Sequence, residues 1–128
     1  MLKTGIFFTS TVRVDDSNTA RTMGSGDMDV FATPALVALM EKAAASLAAE
    51  GLTRESSTVG SMIDISHLKP TAVGDTVTAR AELTAIDGRK LTFRVEASDS
   101  GGLIGEGEHI RYVVDRERFM EKLLSGDR

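Results

Sequence analysis

Three side chains in this sequence could act together on a carbonyl group: Thr33, Glu41 and His67. Thr33 stands where a helix begins, beside free backbone N–H groups that favour an oxyanion or a thioester carbonyl. Glu41 is predicted to face apolar neighbours on that helix, where desolvation would make its carboxylate a stronger base. His67 ends a predicted strand just before a turn, so its ring can face a cleft. A hydroxyl, a carboxylate and an imidazole suffice for acyl transfer or hydrolysis.

Each of these residues also has a structural interpretation. Threonine is a favoured N-cap, so Thr33 could serve only to begin the helix. Glu41 could form a structural ion pair or lie at a solvated helix edge. His67 could be a surface residue that flanks the turn at Pro70, and His109, inside the last predicted strand, is expected to be structural.

The segment that would position Thr33 and Glu41 is the clearest helix in the sequence. Thr33 suits the N-cap, Pro34 suits the first helical position, and Gly51 supplies a stop. At 100° per residue one apolar face forms, and three further apolar residues extend it on the side of Glu41. The face consists of Leu36, Met40, Ala43 and Leu47, and the extension of Val37, Ala44 and Ala48. A helix this apolar is expected to be surrounded by protein.

The sequence pattern outside this helix predicts mainly β-strands. Residues 4–14 form a first strand, and residues 15–30 form a polar loop that is expected to be mobile and functional. Strands are predicted at 56–67, 75–86, 90–98 and 103–114, joined by short turns into a four-strand antiparallel meander, before a terminal amphipathic helix in 115–128. One sheet covering one helix places residues 1–128 in the α+β class as a single domain.

Composition excludes several classes of function. The chain has no cysteine, which rules out disulfides, thiolate zinc sites and a cysteine nucleophile, and which agrees with a cytoplasmic location. Its N-terminus lacks the apolar run of a signal peptide, and no stretch is long enough to span a bilayer. A net charge of −4 disfavours general nucleic-acid binding but leaves room for an anion held by a few local cations.

Three spaced motifs resemble a known family. Val30-Phe31-Ala32-Thr33 precedes Leu39-Met40-Glu41 so that the glutamate follows the threonine by eight residues, and His67 follows Glu41 by 26 residues. This pattern resembles the hotdog thioesterases related to fluoroacetyl-CoA thioesterase, and the resemblance runs from about residue 30 to 123. It implies an α+β hotdog fold, in which an antiparallel sheet wraps a central helix, and it agrees with the predicted order of elements.

The resemblance also implies roles for individual residues. Thr33, Glu41 and His67 would form the catalytic group that cleaves an acyl-CoA thioester, with Glu41 as nucleophile or general base. His67 would polarise or protonate the departing thiolate, and Thr33 would position the carbonyl or the water. Phe31 and Gly60 would contribute to the substrate site. The strand motif of Gly105, Gly107, His109 and Arg111 matches the family's G-x-G-x-H-x-R, which makes Arg111 a secondary candidate for substrate binding.

One segment departs from the family's pattern. The positions of the phenylalanines that cover the acyl group in fluoroacetyl-CoA thioesterase are Gly24 and Asp27 here. Met23 and Met28 could supply a softer cover. The expected acyl group is therefore one other than fluoroacetyl.

The leading hypothesis is a homodimeric, possibly tetrameric, acyl-CoA thioesterase whose site lies between subunits. No cofactor and no metal are expected, since the CoA thioester is the substrate, and neither a nucleic acid nor a membrane is an expected partner. A non-catalytic acyl-CoA-binding module is one alternative, although a pure binder does not need the complete Thr/Glu/His set. A hydratase or dehydratase of the same fold is another, and it is disfavoured because its histidine normally lies at or before the central helix. The sequence leaves open whether CoA or acyl carrier protein carries the acyl group.

Overall fold

In a computed structural model that describes residues 2–126, five antiparallel strands wrap one long helix. The strands and helices follow in the order β1 (Phe7–Arg13), α1 (Ala20–Met23), α2 (Thr33–Glu50), β2 (Ser56–His67), β3 (Thr76–Asp87), β4 (Lys90–Asp99), β5 (Gly102–Asp115) and α3 (Arg116–Leu124). The predicted strand ranges therefore lie within a few residues of the observed ones. The α+β class is confirmed.

The strand order differs from the predicted meander. The sheet runs β1-β3-β4-β5-β2, so that only β3, β4 and β5 form a meander. β2 pairs with β5, with Ser56 opposite Asp115 and His67 opposite Gly105, and it forms one edge of the sheet. The eight residues from 68 to 75 are a crossover rather than a tight turn, because they carry the chain from one edge of the sheet to the other side of the meander.

The core lies between α2 and the concave face of the sheet. Alternate residues of β3 and β4 point towards the helix, as expected for period-2 strands with one buried face. Small side chains on both surfaces let the helix approach the sheet closely. The buried side chains are Leu36, Leu39, Met40, Ala43, Ala44, Leu47 and Ala48 on α2, Val77, Ala79, Ala81 and Leu83 on β3, and Leu91, Phe93, Val95 and Ala97 on β4. The predicted helix face is thus buried, except that Val37 is only partly buried.

The polar segment 15–30 is more structured than a mobile loop. It contains α1, whose N-cap Thr19 accepts a hydrogen bond from the backbone N–H of Thr22. Its ends are held together because Ala20 N–H donates to the carbonyl of Val30 at 2.8 Å, and because Arg21 pairs with Asp29 at 2.9 Å. These bonds fold the segment back on itself in front of α2.

The terminal helix is shorter than the predicted 115–128. α3 begins after the N-cap Asp115, whose carboxylate accepts from the N–H of Arg118, and the last two predicted positions lie outside the described residues. Within residues 2–126, no helix is long and apolar enough to cross a membrane.

Two glycines on β5 let other parts of the fold come close to this strand. A Cβ on Gly105 would lie 3.0 Å from Leu36 Cδ2 of α2. A Cβ on Gly107 would lie 2.7 Å from the Cα of Ile65 on β2, the residue with which it pairs. Backbone atoms cannot move aside as a flexible side chain can, so Gly107 is required for the pairing of β2 with β5.

We therefore expect Gly107→Ala to lower the free energy of unfolding by about 2 kcal/mol or more, since the added methyl group would separate two paired strands. Urea denaturation at matched protein concentration measures this change. Gly26→Ala is the control, because a Cβ there would make only an ordinary 3.4 Å contact with Ala20, and it should change stability by less than about 0.5 kcal/mol. Equal effects of the two substitutions would contradict the steric argument.

Candidate active site

Thr33 and His67 meet although 34 residues separate them in sequence. Thr33 Oγ1 lies 2.7 Å from His67 Nδ1, which joins the beginning of α2 to the end of β2. The Nε2 atom of His67 is buried and has no hydrogen-bond partner among residues 2–126. Because an unsatisfied buried polar atom is unfavourable, the imidazole is ready to accept a further partner.

Thr33 is not the N-cap that the sequence predicted. The N-cap is Ala32, which makes no side-chain capping bond, and Thr33 and Pro34 are the first two helical residues. The threonine hydroxyl is therefore not used to cap the helix. It is available for His67, at a helix end where backbone N–H groups lack intrahelical partners.

The protonation of His67 follows from its surroundings. Burial lowers the pKa of His67 below its usual value because the positive imidazolium loses hydration, and a backbone contact at Lys69 partly opposes this shift. The neutral ring is thus favoured at neutral pH. A neutral imidazole can accept a proton from one group and donate one to another.

Thr33 and His67 line a cleft of about 290 Å³. Phe31 is buried in its wall, and Ala20 and Ser25 of the folded segment 15–30 also line it. The remaining lining residues are Val30, Leu68, Lys69 and Pro70. The predicted cover by Met23 and Met28 is not found, because both side chains are exposed to solvent instead of lining this cleft.

Glu41 lies in a second polar cluster, further along α2. Its Oε2 atom is 3.4 Å from Nη1 of Arg111, a residue of β5 that is only 8% exposed. The Glu41 side chain is itself 42% exposed in the single chain. The predicted apolar environment is therefore wrong, since a cation on the neighbouring sheet and access to solvent both compensate the carboxylate. The alternative of an ion pair at a partly solvated helix edge describes it better.

Arg111 is fixed by several partners at once. Its Nε donates to the hydroxyl of Thr58 at 2.8 Å, its Nη2 donates to the Thr58 carbonyl at 3.0 Å, and its Nη1 lies 3.2 Å from Nε2 of His109. Burial lowers the pKa of Arg111, and the negative charge of Glu41 opposes that shift. Sequence reasoning missed Thr58, whose only signal was its place on the strand two residues before Gly60.

His109 supports this cluster from the inside of the sheet. It is buried, its Nδ1 lies 2.7 Å from the carbonyl oxygen of Met62, and its ring packs against Phe93. Burial lowers its pKa and the positive charge of Arg111 lowers it further, while the contact with the Met62 carbonyl and the negative charge of Glu41 oppose this shift. These contacts are those of a structural residue.

Gly60 leaves room for the glutamate. A Cβ at this position would lie 2.8 Å from Glu41 Oε2 and 3.3 Å from Arg111 Nη1. The pairing of β2 with β5 also shifts between Gly60 and Met62, which marks a bulge at this point. The bulge and the missing side chain together open one side of the carboxylate.

The two clusters are separated within one chain. Glu41 follows Thr33 by eight residues on α2, a rise of about 12 Å. His67 follows Gly60 by seven residues on β2, a span of about 23 Å. The structure therefore brings Thr33 and His67 together, brings Glu41, Gly60 and Arg111 together, and keeps the two groups apart.

Comparison with known proteins identifies the family. The family model described as fluoroacetyl-CoA-specific thioesterase matches residues 14–117. The fluoroacetyl-CoA thioesterase of Streptantibioticus cattleyicolor is 40% identical over 95 residues, which are 74% of this chain and 68% of that protein.

Solved structures agree with this match. The crystal structure of a variant of the fluoroacetyl-CoA-specific thioesterase FlK has a TM-score of 0.91 and 33% identity, and the alignment covers 98% of each chain. The same variant in complex with fluoroacetate and CoA has a TM-score of 0.87 and 35% identity over 92% of this chain and 99% of that chain. A thioesterase superfamily member from Thermus thermophilus has a TM-score of 0.87 and 26% identity, with 96% and 90% coverage. The chain therefore belongs to the fluoroacetyl-CoA-specific thioesterase family, whose members are thioester hydrolases of the hotdog fold.

Proposed function

We propose that this protein hydrolyses an acyl-CoA thioester at a site made by Thr33 and His67 of one chain and Glu41 of a second copy. The observation that carries the proposal is the 2.7 Å contact between Thr33 and His67 at a cleft beside the beginning of α2. Family membership supports the reaction class. A homodimer in the cytoplasm is part of the same proposal.

The separation of the two clusters supports a site shared by two chains. β2 is an edge strand, and its side away from β5 pairs with no other strand of the described chain. Most homodimers have a two-fold axis, which would pair β2 antiparallel with its copy. An axis near residues 63 and 64 would place His67 opposite Gly60 of the partner subunit. The glutamate beside that glycine would then face the imidazole.

Two routes of thioester hydrolysis are possible at this arrangement of groups. With Glu41 as general base, the carboxylate takes a proton from water, the water oxygen bonds to the thioester carbon, and the C–S bond breaks. With Glu41 as nucleophile, a carboxylate oxygen bonds to that carbon, the thiolate leaves, and water then cleaves the resulting anhydride. In the first case the proton passes from Glu41 through the neutral ring of His67 to the departing sulfur, and in the second the water that cleaves the anhydride supplies this proton. In both cases the beginning of α2 stabilises the negative oxygen.

The walls of the cleft point to an acyl group other than fluoroacetyl. The relatives named above are called fluoroacetyl-CoA thioesterases. In this chain, small side chains from the folded segment 15–30 line the cleft at Ala20 and Ser25, and no aromatic side chain of that segment covers it among the described residues. We propose that a short or medium acyl chain fills this space.

We expect Glu41→Gln and His67→Ala each to lower thioester hydrolysis by about 10²-fold or more, since each removes a proton-transfer group. Release of free thiol from a panel of acyl-CoAs measures the rate. Glu50→Gln is the matched control, because Glu50 is an exposed residue at the end of the same helix. Turnover at the wild-type rate in both site variants would refute the assignment, and tight binding without turnover in the wild type would favour an acyl-CoA-binding module.

Mixing the two inactive variants tests the shared site. Random pairing of Glu41→Gln and His67→Ala chains makes half of the dimers mixed, and each mixed dimer has one intact site only if His67 and Glu41 come from different chains. We expect activity to return to about a quarter of the wild-type value after co-refolding. If both groups act within one chain, no mixed dimer has an intact site, and the mixture stays inactive.

The titration of His67 is a further test. Because burial lowers its pKa while the facing carboxylate of a partner subunit would raise it, we expect the ring to lose its proton with a midpoint below 6.5 in Glu41→Gln and at a higher pH in the wild type. NMR titration of the ring signals measures the midpoint, and the His67→Ala spectrum identifies the signal. The urea-unfolded chain, in which both histidines should titrate near pH 6.5, is the control. A folded midpoint at or above 6.5 in Glu41→Gln would contradict the proposed burial of the ring, and equal midpoints in Glu41→Gln and the wild type would contradict the facing carboxylate.

A further inference from the structure

A second cleft, of about 360 Å³, lies where the last turns of α2 meet the beginning of β2. Three arginines line it, namely Arg54, Arg111 and Arg116. No acidic residue lines it within the described part of the chain, although the protein as a whole has a net charge of −4. A concentration of positive charge in a concave surface of an acidic protein indicates an anionic ligand.

The arginines differ in what they are free to do. Arg111 is held by Thr58 and Glu41, so it acts as a fixed positive charge at one end of the cleft. Arg116 Nε donates to the carbonyl of Arg54 at 2.8 Å, which fixes these two residues beside each other. No carboxylate of residues 2–126 lies within 4 Å of the guanidinium nitrogens of Arg54 or Arg116.

Hydroxyl groups complete the lining. Ser56, Ser57 and Thr58 follow one another at the beginning of β2 and line the same cleft. Guanidinium forks and hydroxyl donors are the groups that bind phosphate oxygens in proteins. Among the described residues, the lining of the cleft therefore has the donors expected of a phosphate site and none of the carboxylates expected of a cation site.

The position of the cleft relates it to the reaction. Arg111 contacts both the cleft and Glu41, so the cleft begins beside the carboxylate and leads away along the C-terminal half of α2. In CoA a long flexible arm separates the thioester from a diphosphate and a ribose phosphate. We propose that the cleft binds these phosphates, with Arg54 and Arg116 as the phosphate-binding residues. This inference rests on the proposed thioesterase function, and it selects CoA rather than acyl carrier protein as the carrier.

The test separates carrier recognition from chemistry. For an acyl-CoA identified in the screen, we expect Arg54→Ala/Arg116→Ala to raise KM about tenfold with kcat unchanged, because charge-assisted hydrogen bonds to the phosphates are lost. The corresponding acyl-pantetheine has no phosphates, so the same variant should hydrolyse it at the wild-type rate. That second measurement also shows that the variant is folded.

Arg13→Ala/Arg89→Ala is the matched control, because it removes the same charge from two exposed arginines elsewhere. Calorimetry with CoA, and with adenosine 3′,5′-bisphosphate as a probe, measures binding without turnover. An unchanged Kd in Arg54→Ala/Arg116→Ala, or an equal loss in the control, would overturn the phosphate site. If the wild type cleaves no thioester but binds CoA through these arginines, the phosphate site stands and the hydrolase proposal fails.

Discussion

The buried positive charge of Arg111 must be compensated, and the groups that compensate it hold α2 and the sheet in their relative positions. A guanidinium that is 8% exposed is costly to bury unless its donors are satisfied. Thr58 satisfies two of them from the neighbouring strand, and Glu41 supplies an opposite charge from the helix. Since the Glu41 side chain is 42% exposed, the ion pair itself contributes modestly to stability, and the hydrogen bonds within the sheet carry more of the compensation. The carboxylate is therefore held in place without being buried.

The same arrangement separates rigid support from reactive atoms. The supporting residues are buried in the sheet, as His109 is beneath Arg111. The proposed reactive groups lie at the ends of elements, as Thr33 does at the beginning of α2 and His67 at the end of β2. Well-packed elements can hold side chains precisely while their ends stay accessible to a ligand.

Local sequence signals predicted the secondary structure well, because each depends on near neighbours. The apolar period of α2, the glycine at position 88 in its hairpin, and the strand boundaries at 56–67 were all recognisable. The strand order was not, because alternation tells which face of β2 is buried but not which strand lies beside it. A short crossover and a tight turn have similar compositions, so residues 68–75 misled the prediction.

The candidate site, like the fold, was predicted from the sequence only in part. The intervals between Thr33, Glu41 and His67 indicated the right elements, and their resemblance to a family indicated a chemistry. The predicted surroundings of Glu41 were wrong because its counter-ion, Arg111, lies on a strand 70 residues later in the sequence. The apolar period of a helix carries no information about so distant a residue. The capping role expected of Thr33 was also wrong, because a hydroxyl at this position can bond either to its own helix or to another element. Only the fold decides between those two bonds.

The folded segment 15–30 has a consequence for how this enzyme can change. It closes on itself through the Arg21–Asp29 pair and contributes Ala20, Ser25 and Val30 to the cleft, while Thr33 and His67 belong to α2 and β2. In the proposed site, the residues that would contact the acyl group and the residues that would break the thioester thus belong to separate parts of the chain. Under the proposed function, substitutions at positions 20 and 25 would change the size or polarity of the cleft without moving Thr33 or His67. A lineage that meets a new acyl group would then have a short mutational path to it.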